Sequence, residues 1–180
     1  MDEVEVKVLD VDRNALVKKL LSLGAKKHFE GEIHAVSFDY PDNSIKKAKK
    51  TLRLRTKGNK TYLTLKNPVD NPNIKIREEI ELEVSDFAAM KKILESLSLK
   101  QWRDVKKTRI SYKLKDALFE FDKYHGYFEF VPEFMEIEVM SNNHKEAIKK
   151  IYEFAGMLGI KKEQCLPWTL NELTKHYKKS

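Results

Sequence analysis

Acids and a base alternate with valines in the strand-like stretch that opens the chain. Residues 2–10 read DEVEVKVLD, so Glu3, Glu5 and Lys7 occupy every second position. Side chains alternate between the two sides of a strand, so these three share one face and the valines share the other. Carboxylates suit Mg²⁺ and Mn²⁺, and an ammonium group binds phosphate oxygens. A half-exposed edge strand would show the same pattern. The patterns of the other strands are therefore needed to distinguish a chemical site from a solvated face.

The composition favours a single folded domain over residues 1–180 with an anionic partner. The chain has 180 residues, of which 41% are hydrophobic, and this is enough for a sizeable core. Its net charge of +7 fits nucleic acid, an anionic lipid or a polyphosphate compound. No apolar run reaches the roughly 20 residues of a bilayer span, and no signal-peptide pattern opens the chain. One cysteine agrees with a reducing compartment, so we expect a cytoplasmic protein without a membrane partner.

Amphipathic helices follow alternating acidic strands three times along the chain. These helices are expected to begin after Asp12, after Ser85 or Asp86, and after Asn142 or Asn143, which are all favoured N-cap residues. The pattern therefore predicts repeated strand-helix units.

The remaining segments show the pattern of strands and tight turns. The turn residues KGN at 57–59 predict one hairpin, and Lys115-Asp116 predict a second. Pro132 is expected to bend one long strand over residues 127–140. The segment KKAKK at 46–50 is interpreted as a solvated loop, and a last helix is expected to cover one end of the domain. The whole chain then has about eight strands and three or four helices.

Charged side chains share one face of every predicted strand. The charged members beyond the first strand are Arg53, Arg55, Lys66, Arg77, Glu79, Glu81, Glu83, Lys107, Arg109, Glu120, Asp122, Glu136 and Glu138. The helices must cover the apolar faces, so the charged faces point away from them. Mainly antiparallel strands of this number can close into a barrel, which removes exposed edges and turns the charged faces inward. We therefore predict an α+β fold, an eight-stranded antiparallel β-barrel with helices packed on its outside.

So many enclosed charges need partners or ligands, because an unpaired buried charge is costly. Arginine forks and lysines converging from several strands can clamp phosphate oxygens. Neighbouring carboxylates repel one another unless they bind protons or hard divalent cations. A metal-bound polyphosphate satisfies both sets, whereas an open sheet would leave the same faces merely solvated.

The ordered set of motifs resembles the CYTH superfamily, the triphosphate tunnel metalloenzymes. The family's ExExK motif stands at residues 3–7 and its LRLR strand at 52–55. YLTLK, REEIELEV, KKTR, FEFD and MEIEV follow in the family's order. The resemblance covers roughly residues 1 to 175 and implies a tunnel that binds a triphosphate together with Mg²⁺ or Mn²⁺.

The resemblance also implies a role for each charged residue. The implied catalytic residues are Glu3, Glu5 and Lys7. The implied triphosphate binders are Lys7, Arg53, Arg55, Lys66, Arg77, Lys107 and Arg109. The implied metal ligands are Glu3, Glu5, Asp122, Glu136 and Glu138, with Glu79 and Glu81 as ligands of a second ion.

Several functions fit such a tunnel. The resemblance favours a class IV adenylyl cyclase-like enzyme, which converts ATP to cyclic AMP and pyrophosphate. The alternatives are a thiamine triphosphatase or an inorganic tripolyphosphatase, which hydrolyse the terminal phosphate. A more distant alternative is a noncatalytic module that binds polyphosphate or RNA. Nucleic acid is disfavoured, because acids interleaved with the bases would repel a phosphate backbone. The family also makes a homodimer an expectation.

Overall fold

The computed structural model describes residues 1–71 and 74–178 of the chain. Its strands are β1 (Asp2–Val8), β2 (Lys26–Asp39), β3 (Thr51–Lys57), β4 (Lys60–Val69), β5 (Lys75–Val84), β6 (Lys100–Leu114), β7 (Ala117–His125) and β8 (Phe134–Ser141). All eight join one closed barrel in the order β1-β5-β4-β3-β2-β6-β7-β8, and each neighbouring pair is antiparallel. The predicted α+β barrel and both predicted hairpins are confirmed.

Five helices accompany the barrel in the part of the chain that the structure describes. They are α1 (Arg13–Ser22), α2 (Ser44–Lys47), α3 (Phe87–Ser96), α4 (His144–Leu158) and α5 (Leu170–Lys178), with 3-10 turns at Gly126–Phe128 and Lys162–Gln164. The carboxylates of Asp12 and Asp86 and the side-chain oxygen of Asn143 each accept a backbone N–H of the first helical turn. The predicted helix start after Asp12 is therefore confirmed, and of the two alternatives at each of the other starts the caps are Asp86 and Asn143. No described helix is long and apolar enough to cross a membrane.

Helix α2 lies partly in the segment that was predicted to be a loop. The buried carboxylate of Asp39, 1% exposed, accepts backbone N–H groups from Tyr40 at 2.8 Å and from Ile45 and Lys46 at 2.9 Å. These bonds satisfy donors that a short helix leaves open at its N-terminus. The prediction of a plain loop was wrong for residues 46 and 47, because the stabilising carboxylate lies outside the lysine-rich segment.

Helices pack against several of the strands of the barrel. Ile151 and Phe154 of α4 belong to the core cluster that contains Phe119 and Ile137, and the rings of Phe119 and Phe154 meet edge to face. Leu173 of α5 is buried among Val105, Phe134 and their neighbours at one end of the barrel. The predicted end-covering helix is therefore present.

Two local expectations were wrong. A helix was expected to cover the outer face of β5, but Ile80 and Leu82 on this face are 53% and 62% exposed. Helix α3 packs elsewhere, because its buried residue Leu94 contacts Leu54 and the neighbours of Leu54. The segment around Pro132 was expected to be one bent strand. It is instead a 3-10 turn followed by a connection to β8, and buried Phe128 and Val131 pack beside Leu173 of α5. Packing against α5 replaces strand pairing in this segment.

Candidate functional site

A cavity of about 270 Å³ runs inside the barrel and is lined mostly by charged side chains. The ten basic side chains of its lining are Lys7, Arg53, Arg55, Lys57, Lys66, Lys75, Arg77, Arg103, Lys107 and Arg109. The six acidic ones are Glu3, Glu5, Glu79, Glu120, Glu136 and Glu138. The lining therefore carries more positive than negative charge, and we call this cavity the tunnel.

Strand register brings these side chains into the tunnel. Residues directly opposite each other in an antiparallel pair point to the same face. Arg53 of β3 lies opposite Ser37 of β2 and Thr64 of β4, and both of these are buried. The period of two then places every second residue of each strand inside. The outer positions carry the apolar residues that pack against the helices.

Arg109 is the centre of one ion-paired cluster. Its Nε and Nη2 donate to the two carboxylate oxygens of Asp122, each at 2.6 Å, and Nη2 also donates to Glu136 at 2.6 Å. Its Nη1 donates to Glu120. Burial alone would lower the pKa of Arg109, but Asp122 and the neighbouring carboxylates raise it well above the usual value. Lys107 also pairs with Asp122, yet burial and nearby Arg109 lower the pKa of Lys107 to about 8.

Lys7 forms a second cluster with the carboxylates of Glu5 and Glu136. Its Nζ donates to Glu136 at 2.5 Å and to Glu5 at 3.1 Å, and Glu5 also pairs with Lys75. Although burial raises it, Lys7 and Lys75 together lower the pKa of Glu5 to about 2. Lys66 similarly pairs with Glu3 at 2.7 Å and with Glu79. The neighbouring cations lower the pKa of Glu5, Glu79 and Glu136 against the effect of burial, which keeps these three carboxylates ionised inside the barrel.

Four tunnel cations have no carboxylate partner among the described residues. They are Arg53, Lys57, Arg77 and Arg103. The Nε and Nη2 atoms of Arg53 are buried and have no hydrogen-bond partner, although the residue as a whole is partly exposed. Burial, reinforced by Arg55, lowers the pKa of Arg53. Buried N–H donors without acceptors are rare in folded proteins, so this arrangement indicates that an anionic ligand supplies the missing acceptors.

The surroundings of the Glu138 carboxylate show the opposite imbalance of charge, an excess of negative charge. Burial, together with the negative charges of Glu3 and Glu5, raises the pKa of Glu138 to about 8. These three carboxylates are a set of oxygen donors whose repulsion a divalent cation would relieve, so their chemistry fits Mg²⁺ or Mn²⁺. Within residues 1–71 and 74–178, however, no three acidic, histidine or cysteine side chains already stand close enough to hold an ion.

The structure brings all of the predicted site residues to the tunnel lining except Asp122 and Glu81, and Glu81 is exposed. The predicted phosphate binders and the acids Glu3, Glu5, Glu79, Glu136 and Glu138 line the tunnel. Asp122 is fully buried against Arg109, and Glu81 accepts bonds from Arg55 and Thr64 at 2.9 and 2.6 Å. Their assigned roles stay predictions.

Sequence reasoning missed three charged tunnel residues, namely Lys57, Lys75 and Arg103. Lys57 stands two residues after Arg55, and Lys75 stands two residues before Arg77. Extending the period of two by one step would have found both. Glu120 stands two residues before Asp122 and was on the charged face, but it was not assigned a role.

Comparison with known proteins gives a consistent match over the whole barrel. The family model described as the CYTH domain matches residues 1–168. A protein of Methanocaldococcus jannaschii named "Putative adenylate cyclase MJ0240" is 29% identical over 177 residues, which are 96% of this chain and 98% of that protein. The structure of the PH1012 protein from Pyrococcus horikoshii is 33% identical, with a TM-score of 0.80 over 95% of this chain and 98% of that one. HpAC1 of Hippeastrum, an adenylyl cyclase by name whose description reports a dominant triphosphatase activity, shares the fold at 16% identity. Its TM-score is 0.63, over 88% of each chain.

Proposed function

This chain belongs to the CYTH family, and we propose that it is a metal-dependent enzyme that cleaves a P–O bond of a triphosphate inside the tunnel. The observation that carries the proposal is the set of unpaired cations, above all the buried N–H groups of Arg53 without acceptors. A triphosphate offers anionic oxygens along its whole length. Charge-assisted bonds to these oxygens would replace the hydration that the guanidinium groups have lost.

The tunnel cations would also act on the reaction itself. Negative charge shifts between phosphate oxygens when the P–O bond breaks, and donors that are already in place stabilise it without reorganising. Arg109 and Lys7 are held by several carboxylates each, so their positions are fixed before a substrate enters. The ion-paired cations would therefore orient and neutralise the phosphates.

Glu3, Glu5 and Glu138 are the residues that would hold Mg²⁺ or Mn²⁺, together with the other predicted acids. When bound, the cation supplies charge neutralisation of the phosphate oxygens and activation of the attacking hydroxyl or water. The contribution of the chain is to keep Glu5 ionised, through Lys7 and Lys75, at every physiological pH. Burial and the neighbouring Glu3 and Glu5 raise the pKa of Glu138, so a cation bound beside it would stabilise its ionised form.

Conversion of ATP to cyclic AMP and pyrophosphate is the leading reaction, and the name of the Methanocaldococcus jannaschii relative supports it. Hydrolysis of a triphosphate is the second candidate, and the description of HpAC1 supports that one. A feature of the tunnel also favours hydrolysis. Tyr124 is the single aromatic side chain among its described lining residues. The lining therefore has many groups that could bind phosphates but little aromatic surface on which a base could stack.

A product assay distinguishes these reactions. The protein is incubated with ATP, thiamine triphosphate or tripolyphosphate, each with Mg²⁺ or Mn²⁺, and products are separated by chromatography. Cyclic AMP with pyrophosphate identifies a cyclase, and orthophosphate identifies a hydrolase. Arg53→Gln should lose most of the activity. Lys149→Gln removes an equal charge from the outer face of α4, where the side chain is 77% exposed, and should keep it.

Two results would contradict the proposal. Binding of a triphosphate without any product would indicate a noncatalytic polyphosphate-binding module. Absence of both binding and turnover with every triphosphate would remove the triphosphate from consideration altogether.

A further inference from the structure

Strand β6 carries a β-bulge at Trp102, near the end of the barrel that contacts α5. Arg103 lies opposite Ser37 of β2, whereas Gln101 lies opposite Phe38. The register shifts by one residue between these two pairs, so Trp102 has no opposite residue on β2. An extra residue of this kind bends the strand and changes the direction of the side chains beside it.

The bulge accompanies an unusual contact between two neighbouring side chains. Ser37 is buried and lines the tunnel, and Arg103 opposite it lines the tunnel as well. In a regular strand the next side chain, that of Trp102, would point to the other face. Here Cζ of Arg103 lies 4.3 Å from the centroid of the Trp102 ring, which is within the range of a cation–π contact. The ring therefore supports a guanidinium group that belongs to the tunnel.

Neutral groups hold Arg103 in the part of the chain that the structure describes. Besides its contact with the ring, Nη2 of Arg103 donates a hydrogen bond to Oδ1 of Asn171 on α5. Burial lowers the pKa of Arg103, and nearby Tyr124 opposes this shift. Arg109, in contrast, is bonded to three carboxylates. The charge of Arg103 is therefore positioned without being neutralised, which suits an anionic ligand.

Arg53 faces the same part of the tunnel from the other side of Ser37. Ser37 lies opposite Arg103 of β6 and opposite Arg53 of β3, so the three residues form one row on the inner face. Neighbouring strands are about 4.8 Å apart, which separates the backbones of the two arginines by roughly 10 Å. Two long side chains that flank a small one can reach one ligand group between them. A phosphoryl group in this row would supply acceptors for the buried Nε and Nη2 of Arg53.

We propose that Arg103 is a further phosphate-binding residue of the tunnel, that it binds one phosphoryl group together with Arg53, and that Trp102 is its positioning residue. This inference deepens the proposed function and rests on it. A different role for Trp102 would be to anchor α2, because Nζ of Lys46 lies 4.9 Å from the centroid of the same ring. The experiment must therefore separate the contact with Arg103 from the contact with Lys46.

Titration calorimetry with inorganic tripolyphosphate in the presence of Mg²⁺ tests the role of Arg103. Arg103→Gln should raise the Kd by roughly 10- to 150-fold, the factor that hydrogen bonds to a charged group give. Lys46→Gln is the matched control, because it removes a cation from the same ring but from an exposed side chain outside the tunnel lining. This control should leave the Kd nearly unchanged. Thermal melts will verify that each variant folds.

A double-mutant cycle tests the role of Trp102. Trp102→Leu should raise the Kd about 2- to 10-fold, because the Arg103 side chain must then be ordered when the ligand binds. The same substitution in the Arg103→Gln background should have no further effect, since the residue it positions is absent. Trp102→Phe keeps an aromatic face and should stay close to the wild-type Kd.

Three results would overturn this inference while leaving the proposed function intact. They are an unchanged Kd in Arg103→Gln, an equal loss of affinity in Lys46→Gln and Arg103→Gln, and an equal effect of Trp102→Leu in both backgrounds. The last result would show that Trp102 acts on the fold and not through Arg103. If the wild-type protein neither binds nor converts any triphosphate, both conclusions fail together.

Discussion

Two arginines of the tunnel, Arg53 and Arg109, should have opposite effects on stability when each is replaced by methionine. Arg109 is bonded to three carboxylates, and its loss leaves them buried without a partner. Breaking a buried ion pair in this way costs about 3–5 kcal/mol. Arg53 has two buried N–H groups without acceptors, and leaving a buried donor group such as this guanidinium unsatisfied costs about 1–3 kcal/mol. Arg53→Met removes that cost, so it should raise the free energy of unfolding by about 1–3 kcal/mol.

Urea denaturation in a phosphate-free buffer measures both effects. For a domain of this size, each 1 kcal/mol corresponds to a shift of about 2–4 °C in melting temperature, so thermal melts provide a second measurement. Arg109→Met should melt well below the wild-type protein and Arg53→Met above it. Methionine suits both positions because it is flexible, apolar and long enough to fill much of the space that arginine leaves.

The same Arg53→Met variant should bind its ligand more weakly. The lost charge-assisted bonds correspond to about 1.5–3 kcal/mol, or roughly a 10- to 150-fold higher Kd for tripolyphosphate. Tripolyphosphate should therefore raise the melting temperature of the wild-type protein much more than that of the variant. If Arg53→Met were as destabilising as Arg109→Met, the guanidinium group of Arg53 would be satisfied within the folded chain. The argument for a vacant anion site would then be refuted.

Three further outcomes are expected. Lys7→Ala and Glu5→Ala should each abolish product formation while circular dichroism shows an intact fold, and wild-type rates in either variant would contradict the site assignment. Because the pKa of Glu138 is raised to about 8, protons compete with Mg²⁺ below that pH. The Mg²⁺ affinity measured by calorimetry should therefore rise between about pH 6 and pH 8 and level off above pH 8, and Mg²⁺ binding should release protons. An affinity that does not change with pH would contradict this prediction. Asp39→Ala removes the acceptor of three backbone hydrogen bonds, so it should lower the free energy of unfolding, measured in urea, by about 1–3 kcal/mol. Asp42→Ala loses one exposed backbone hydrogen bond and should lower it by less than about 1 kcal/mol. Equal losses in the two variants would argue against the role of Asp39.

The charged faces of the strands could be predicted because side-chain alternation is a local property. Glu3, Glu5 and Lys7 share a face in any extended segment, and the same holds for Arg53 and Arg55. The helix starts at Asp12 and Asp86 were also predictable, since an N-cap bond joins atoms only three residues apart. Barrel closure followed from the number of amphipathic strands together with the need to enclose their charged faces.

Which charges pair inside the tunnel was decided only by the tertiary structure. Arg109 and Arg53 look alike in the sequence, yet one is bonded to three carboxylates and the other has donors without acceptors. The difference arises because pairing depends on strand register between segments far apart in the chain, and a step of one residue moves every side chain to the other face. The exposed outer face of β5 depends in the same way on contacts between distant segments, which no local pattern records.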